Sequence, residues 1–379
     1  MGVKSKEQFF VHQSEQSMVK AKIVSSYFTA WSRIMCQNWS RSIPVGYVDL
    51  FSGPGVYQDG KESVPIMLIK TVLSDLRLCN RFWFYFNDQD ENNISDLKSA
   101  IASIDVDNKL EGKIQYSVRT VDEQYADAIR INSRGPILSF VDPFGYKGLT
   151  VGLINKLIEN NGSDCIFFFN YNRINMALSS NTKFDEYLEG IFGQKRVEVL
   201  KEELKDLPAE EREPVVLNAL MAALKENNAI NALPFKFYST EMLRTSHFII
   251  FVSKSKLGCS IMKQIMYANS AKDVDGVASF EFKDSKNFGN KYEQLTIFDR
   301  PLDALCEEVY EMCKSKDIKV KSICEKYDTD FSNYFVSRNV KDALIRLEEQ
   351  NKIIVTGRKQ KQRKGKLNMP DDAIVGILR

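Results

Sequence analysis

Histidine is nearly absent. His12 and His247 are the only two in 379 residues, which argues against imidazole-rich metal sites and against catalysis by a mobile histidine base. The seven cysteines (Cys36, Cys79, Cys165, Cys259, Cys306, Cys313, Cys324) are odd in number and never stand at C-x-x-C spacing. No zinc or redox pair is expected from them, only reduced and mostly buried thiols, and no metal site is predicted. No apolar run approaches the length that crosses a bilayer, and the N-terminus opens on charged and polar residues instead of a basic segment leading into an apolar one. The expectation is therefore a cytoplasmic protein with no membrane partner. What remains is ordinary in bulk, 44% hydrophobic and 27% charged with a net charge of +2, and long enough for one large domain and a smaller companion.

Periodicity supplies the order of elements. Val24, Tyr27, Phe28, Trp31, Ile34 and Met35 stand at helical spacing, so residues 18–39 read as one amphipathic helix. Residues 45–51 read as a strand running into Ser52-Gly53-Pro54-Gly55, followed by a helix over 64–78 with Pro65 in its first turn. Strand and helix then alternate: 82–87, 91–104, 114–118, 121–131, 137–141, a helix capped by Thr150, and 164–169. Five β-α units in a row predict an α/β fold with a doubly wound, mostly parallel, Rossmann-like sheet. Residues 176–234 turn charged and helical and read as an insertion, after which 235–239 and 247–253 suit a closing antiparallel hairpin. The character changes again after Pro301. This divides the chain into a domain of residues 1–300 and one of 301–379.

Three places could carry chemistry. Asp49-Leu50-Phe51-Ser52-Gly53-Pro54-Gly55 puts an acid inside a strand and two glycines after it, where missing Cβ atoms let a ligand approach the backbone. A dinucleotide fingerprint would need a third glycine where Gln58 stands. The loop fits S-adenosylmethionine better, with Asp49, Phe51, Gly53 and Gly55 around its cationic end; a plain turn after a strand is the bland alternative. Asp88, after the second strand, is placed to accept from ribose hydroxyls, and Asp122, after the third, to meet the adenine amino group; either could instead cap a helix. The sharpest feature is Asp142-Pro143-Phe144-Gly145 after the fourth strand. Methylating an exocyclic amine requires its lone pair to leave conjugation, and acceptors aimed at the N–H groups promote that. Here the Asp142 carboxylate and Pro143 carbonyl accept while Phe144 stacks on a base, unless Pro and Gly only shape a turn.

With these residues the chain resembles the three-Cys-motif partner family, whose members carry a D-L-F-x-G-P-G loop, a D-P-F-G turn and a C-terminal winged helix, here residues 49–55, 142–145 and 301–379. The resemblance implies a class I methyltransferase-like domain and a partner protein bearing the three cysteines. Residues 142–145 are also similar to the fourth motif of tRNA guanine N2-dimethyltransferases, which implies amine methylation. The departure from D-P-P-Y and N-P-P-Y puts adenine in doubt as the target, and no Pro-Cys pair follows the fourth strand, which disfavours cytosine C5 chemistry.

Residues 302–314, 320–327 and 337–350 read as three helices, followed by a strand over 352–356 and a run of bases without an acid, which is winged-helix organisation. Arg338 and Lys341 would face a nucleic-acid groove, with Arg346 beside them, and Arg358, Lys359, Lys361, Arg363, Lys364 and Lys366 would track phosphates, DNA or RNA. Protein contact or a solvated basic loop is the alternative. Lys20 and Lys22 read as a solvated helix face. Three functions stay open: a base-amine methyltransferase, a binding module that kept the fold without transferring anything, and a methyltransferase of small molecules or proteins.

Overall fold

The computed structural model describes residues 15–57, 59–143, 145, 148–179, 184–209, 211–226, 231–239, 244–272, 275, 277–282, 301–360, 362–363 and 366–377. The chain divides into two compact units, Met1–Ile261 and Met262–Arg379. The division falls inside a helix and earlier than the change of sequence character at Pro301, because residues such as Val277 already belong to the second unit's core.

In the first unit, α1 (Glu15–Asn38) leads into β1 (Val45–Asp49), α2 (Val64–Leu73), α3 (Leu76–Cys79), β2 (Phe82–Asn87), α4 (Glu91–Ile104), β3 (Ile114–Ser117), α5 (Glu123–Ser133), β4 (Ile137–Val141), α6 (Val151–Leu157) and β5 (Asp164–Phe169). Strands β1, β4 and β5 are buried almost throughout, as the continuous apolar runs predict for a sheet covered on both faces. Four helices follow: α7 (Tyr171–Leu178), α8 (Asp185–Phe192), α9 (Gln194–Lys205) and α10 (Arg212–Lys225). They correspond to the inserted segment, and they are not a free-standing cap. Leu188, Phe192, Val197, Leu200, Val216 and Leu220 join Val141, Leu153 and Phe167 in one core. The unit closes with β6 (Asn231–Tyr238) and β7 (Thr245–Ser253), the antiparallel pair expected, and α11 (Lys256–Asn269) carries the chain into the second unit.

These strands lie in the order β3-β2-β1-β4-β5-β7-β6. Pairs among β1 to β5 are parallel, and β7 runs antiparallel to both its neighbours. The helix before β1 covers one face. Its Phe28 meets Tyr47 and Phe82 edge-on, the Tyr27 hydroxyl donates to Asp164 at 2.6 Å, and the Trp31 indole donates to the Gly162 carbonyl at 3.0 Å.

The second unit contains β8 (Glu281–Phe282), α12 (Pro301–Ser315), β9 (Ile318–Lys319), α13 (Val320–Asp328), α14 (Ser337–Glu349), β10 (Ile354–Thr356), the two-residue pair β11 (Gln362–Arg363) and β12 (Lys366–Leu367), and β13 (Ile374–Gly376). A small antiparallel sheet in the order β10-β13-β9 backs the helices, and β11 pairs with β12 as a separate hairpin. Leu305, Val309, Ile323, Val340, Leu344 and Val375 form its core. Beneath the end of α13 the fully buried Lys263 donates to the carbonyls of Tyr327 and Asp330, both at 2.7 Å, a cation at the carboxyl end of the helix and the turn that follows it. Burial lowers this ammonium to about 8. All seven cysteines are free thiols; only Cys36 is more than marginally exposed. Among the described residues no helix is long and apolar enough to cross a membrane.

Candidate functional site

The order of the sheet locates the site. From β1 the chain grows outward to β2 and β3, then crosses back to lay β4 on the other side of β1, so the carboxyl ends of β1 and β4 flank a topological switch point. Helices leaving these strands diverge there, and the crevice between them is where open α/β sheets bind ligands. A cavity of about 490 Å³ opens at that point.

Asp49 ends β1 at the cavity floor, 1% exposed. Among the described residues its carboxylate accepts from the Phe51 N–H and the Tyr47 hydroxyl, each at 3.2 Å, and burial, aided by the fields of Asp142 and Asp88, raises it to about 7. The loop beyond turns on Gly53 and Gly55, with φ of 63° and 89°. At Gly55 a Cβ would stand 2.9 Å from Leu97, so the bare backbone is needed for packing as well as for its left-handed turn. Asp88, just past β2, accepts from the Gly53 N–H at 3.0 Å and the Asp90 N–H at 2.9 Å, holding the glycine loop against the neighbouring strand. Buried Asn87 reinforces this by donating to the carbonyls of Leu50 and Arg119.

On the other wall stand Asp142 and Pro143. The Pro143 carbonyl accepts from the Gly145 N–H at 2.7 Å in a tight turn, with Gly145 at φ 116°. Phe144 lies outside the described residues. The Asp142 carboxylate is ion-paired with Lys20, which α1 brings into the cavity and which also lies 5.2 Å from the centre of the Phe168 ring. Lys20 is thus a buried site residue and not part of a solvated face; only Lys22 is exposed. Desolvation works against its charge, but Asp142, Tyr57 and Asp49 outweigh that and leave the ammonium raised. Beside them His247 stacks on Phe237 at 4.6 Å and packs against Phe168 at 4.4 Å. Burial, with the Lys20 field, lowers it to about 3, so it is a neutral aromatic wall at physiological pH.

Asp49, Phe51, Gly53, Gly55, Asp88, Asp142 and Pro143 therefore line one cavity. Asp122 does not. It caps α5, accepting from the Tyr125 N–H at 2.7 Å, and is exposed. Lys20, Phe168, Asn170, Arg173 and His247 line the cavity without having been singled out from sequence. Lys20 had a usable signal, since it falls on the same helical stripe as Val24, Tyr27 and Trp31. Asp49, Asp88 and Asp142 line the cavity together with Lys20 and Arg173, an excess of one acidic group over basic ones with His247 neutral.

In the second unit the basic residues of α14 have acidic neighbours. Arg338 lies 3.9 Å from Asp342, Lys341 2.7 Å from Asp371, and Arg346 2.8 Å from Asp303. Arg358 makes a two-pronged pair with Glu348 and donates to the Asn368 carbonyl, leaving it 7% exposed. Lys359 is exposed, Arg363 and Lys366 are backbone partners in the β11–β12 hairpin, and Lys361 and Lys364 lie outside the described residues.

No family model and no curated protein matches this chain. Solved structures similar to it include Trm1 from Pyrococcus horikoshii in complex with S-adenosyl-L-methionine, at 11% identity and TM-score 0.34 over 68% of this chain and 60% of that one. Another is the bifunctional kinase-methyltransferase WbdD, at 12% identity and TM-score 0.34 over 64% of this chain and 40% of that one. The methyltransferase domain of bacterial CtHen1-C aligns at 9% identity and TM-score 0.30 over 61% of this chain and 98% of that one. The chain itself carries a large, mostly parallel, doubly wound α/β sheet, β7 reversed between β5 and β6, with an acid-lined cavity at its switch point.

Proposed function

We propose that this protein is an S-adenosylmethionine-dependent methyltransferase acting on an exocyclic amine of a nucleic-acid base. The observation that carries the reading is the convergence of Asp49, the 53–55 loop, Asp88 and Asp142-Pro143 on one switch-point cavity. The cofactor fits the donor set. A buried carboxylate with two weak donors and a surplus of acid suits a ligand bearing an ammonium and a sulfonium, and Asp88 retains lone pairs for ribose hydroxyls beside those it gives to Gly53 and Asp90. When bound, adenosylmethionine supplies an electrophilic methyl group.

The chain's own residues do the rest. Lys20 engages one oxygen of Asp142 and orients the carboxylate, so that its other oxygen and the Pro143 carbonyl accept from the amine and turn the nitrogen lone pair toward the methyl donor. Phe168 and His247 wall the cavity with apolar rings and exclude water. The second unit, with three helices, a three-stranded antiparallel sheet and a hairpin carrying Arg363 and Lys366, acts as a winged helix presenting nucleic acid, and the family resemblance adds a three-Cys-motif partner.

The Lys20–Asp142 pair also favours a second reading. Because Lys20 already occupies the acceptor, the domain could be a nucleic-acid- or partner-binding module that holds the cofactor and transfers nothing. Calorimetric titration with adenosylmethionine and its demethylated product decides first. Binding should weaken by about tenfold to a hundredfold in Asp88→Ala, the worth of hydrogen bonds to a charged group. Labelled-methyl transfer to RNA or DNA, lost in Asp142→Ala, then supports the enzyme. Cofactor binding without transfer to any nucleic acid supports the module, and no cofactor binding sinks both.

A further inference from the structure

A second cavity, of about 420 Å³, lies at the opposite end of the strands, and four arginines line it: Arg33, Arg41, Arg77 and Arg81. Arg33 comes from the last turns of α1, Arg41 from the loop before β1, Arg77 from α3, and Arg81 immediately precedes β2. The cleft is thus at the amino ends of β1 and β2, a strand's length, roughly 17 Å, from the switch-point cavity.

Two of the four arginines have structural duties. Arg77 pairs with Asp75 through two nitrogens, at 3.1 and 2.8 Å. Arg81 donates to the carbonyls of Cys36, Ser40 and Ile43, gripping the end of α1, but carbonyls fix its guanidinium without neutralising it. Asp75 is the only carboxylate lining the cavity, which leaves it an excess of three positive charges. Arg33 and Arg41 are exposed, and among the described residues neither is in an ion pair or donates a hydrogen bond. Clustered like charges repel, and the gain that most simply offsets this is an anion with several oxygens, which guanidinium forks match two at a time. In the second unit the charge balance is the reverse, since each basic residue of α14 considered above sits beside a carboxylate.

We infer that the arginine cleft formed by Arg33, Arg41, Arg77 and Arg81 is a binding site for phosphate groups, separate from the switch-point cavity. Vicinal phosphates could come from a polynucleotide backbone or from a free oligophosphate, and the test has an arm for each. Purified protein is titrated with inorganic tripolyphosphate by calorimetry and with a fluorescein-labelled single-stranded 12-mer by anisotropy, each at two salt concentrations. The same titrations are repeated on Arg33→Gln/Arg41→Gln. Both residues are exposed, so the double variant should keep the wild-type melting temperature and adenosylmethionine affinity, and phosphate binding is read with no cofactor present.

Tripolyphosphate affinity should fall at least tenfold in the double variant. If the 12-mer also weakens, with a salt slope smaller by about 1.4, the source is a polynucleotide. If only tripolyphosphate weakens, the site takes a free oligophosphate. Absence of tripolyphosphate binding to the wild type, or equal binding by the variant, overturns the inference. None of these outcomes depends on methyl transfer, so the switch-point reading and this one can fail separately.

Discussion

A carboxyl group sealed into the end of β1 destabilises the fold that contains it. Asp49 holds its proton up to about pH 7, against an ordinary value near 4, chiefly because its charged form is poorly solvated there. Between those values the folded chain binds more protons than the unfolded one, so this group's contribution to stability falls as pH rises from 4 to 7 and stays low above. Asp49→Asn should therefore raise stability at pH 8, by an amount on the order of 4 kcal/mol, and change it little at pH 4. Denaturant melts at the two pH values check this. The ligand side has the opposite sign. A cation in the cavity favours ionised Asp49, so adenosylmethionine should bind more tightly as pH climbs through 7, and the substitution should flatten that dependence in a calorimetric pH series. Asp49 was legible in the sequence because an acid inside an apolar strand stands out. Asp122 was not resolved there, since a carboxylate at the start of a helix has the same local signature whether it caps the helix or meets a ligand.

Elements with a plain apolar run or stripe came out of the sequence with their true limits. Phe82–Asn87, Ile137–Val141 and Asp164–Phe169 are short runs of mostly apolar residues, and Glu91–Ile104 shows a clear stripe at Ile94, Leu97 and Ile101. The two-residue strands β9, β11 and β12 have no period to read, and their pairing comes from partners distant in sequence or from a hairpin. Lys20 was misread because its neighbour Lys22 does face water and a lysine on a helix usually does; its partner Asp142 is 122 residues away. The glycine loop was legible as an element because only its backbone matters. Gly55→Ala should cost about 1 to 2 kcal/mol for the left-handed turn, with further loss from the approach to Leu97. Because Gly53 in the same loop is bonded to Asp88, adenosylmethionine affinity should weaken with stability, and thermal melts run beside the titration check both.

Across the described residues, one apolar cluster draws only on residues up to Val252 and another only on residues from Val277 onward. Each has its own buried set, so heat unfolding should not be a single two-state event. Scanning calorimetry should show two transitions, with Gly55→Ala lowering one midpoint by roughly 2 to 8 °C and Lys263→Met the other by roughly 5 to 10 °C. A single transition lowered by both variants would refute independent unfolding. The order of synthesis adds a last consequence for α1. Its anchors, Asp142 for Lys20, Gly162 for Trp31 and Asp164 for Tyr27, are encoded 122, 131 and 137 residues downstream. A ribosome adding about 5 to 20 residues per second needs roughly 7 to 27 s to reach the last of them. Made before the described strands of the sheet, the helix that delivers Lys20 can lay Phe28 on β1 and β2 early, but it must wait for β5 before its polar anchors close, so its seat on the nascent chain is an unlatched one.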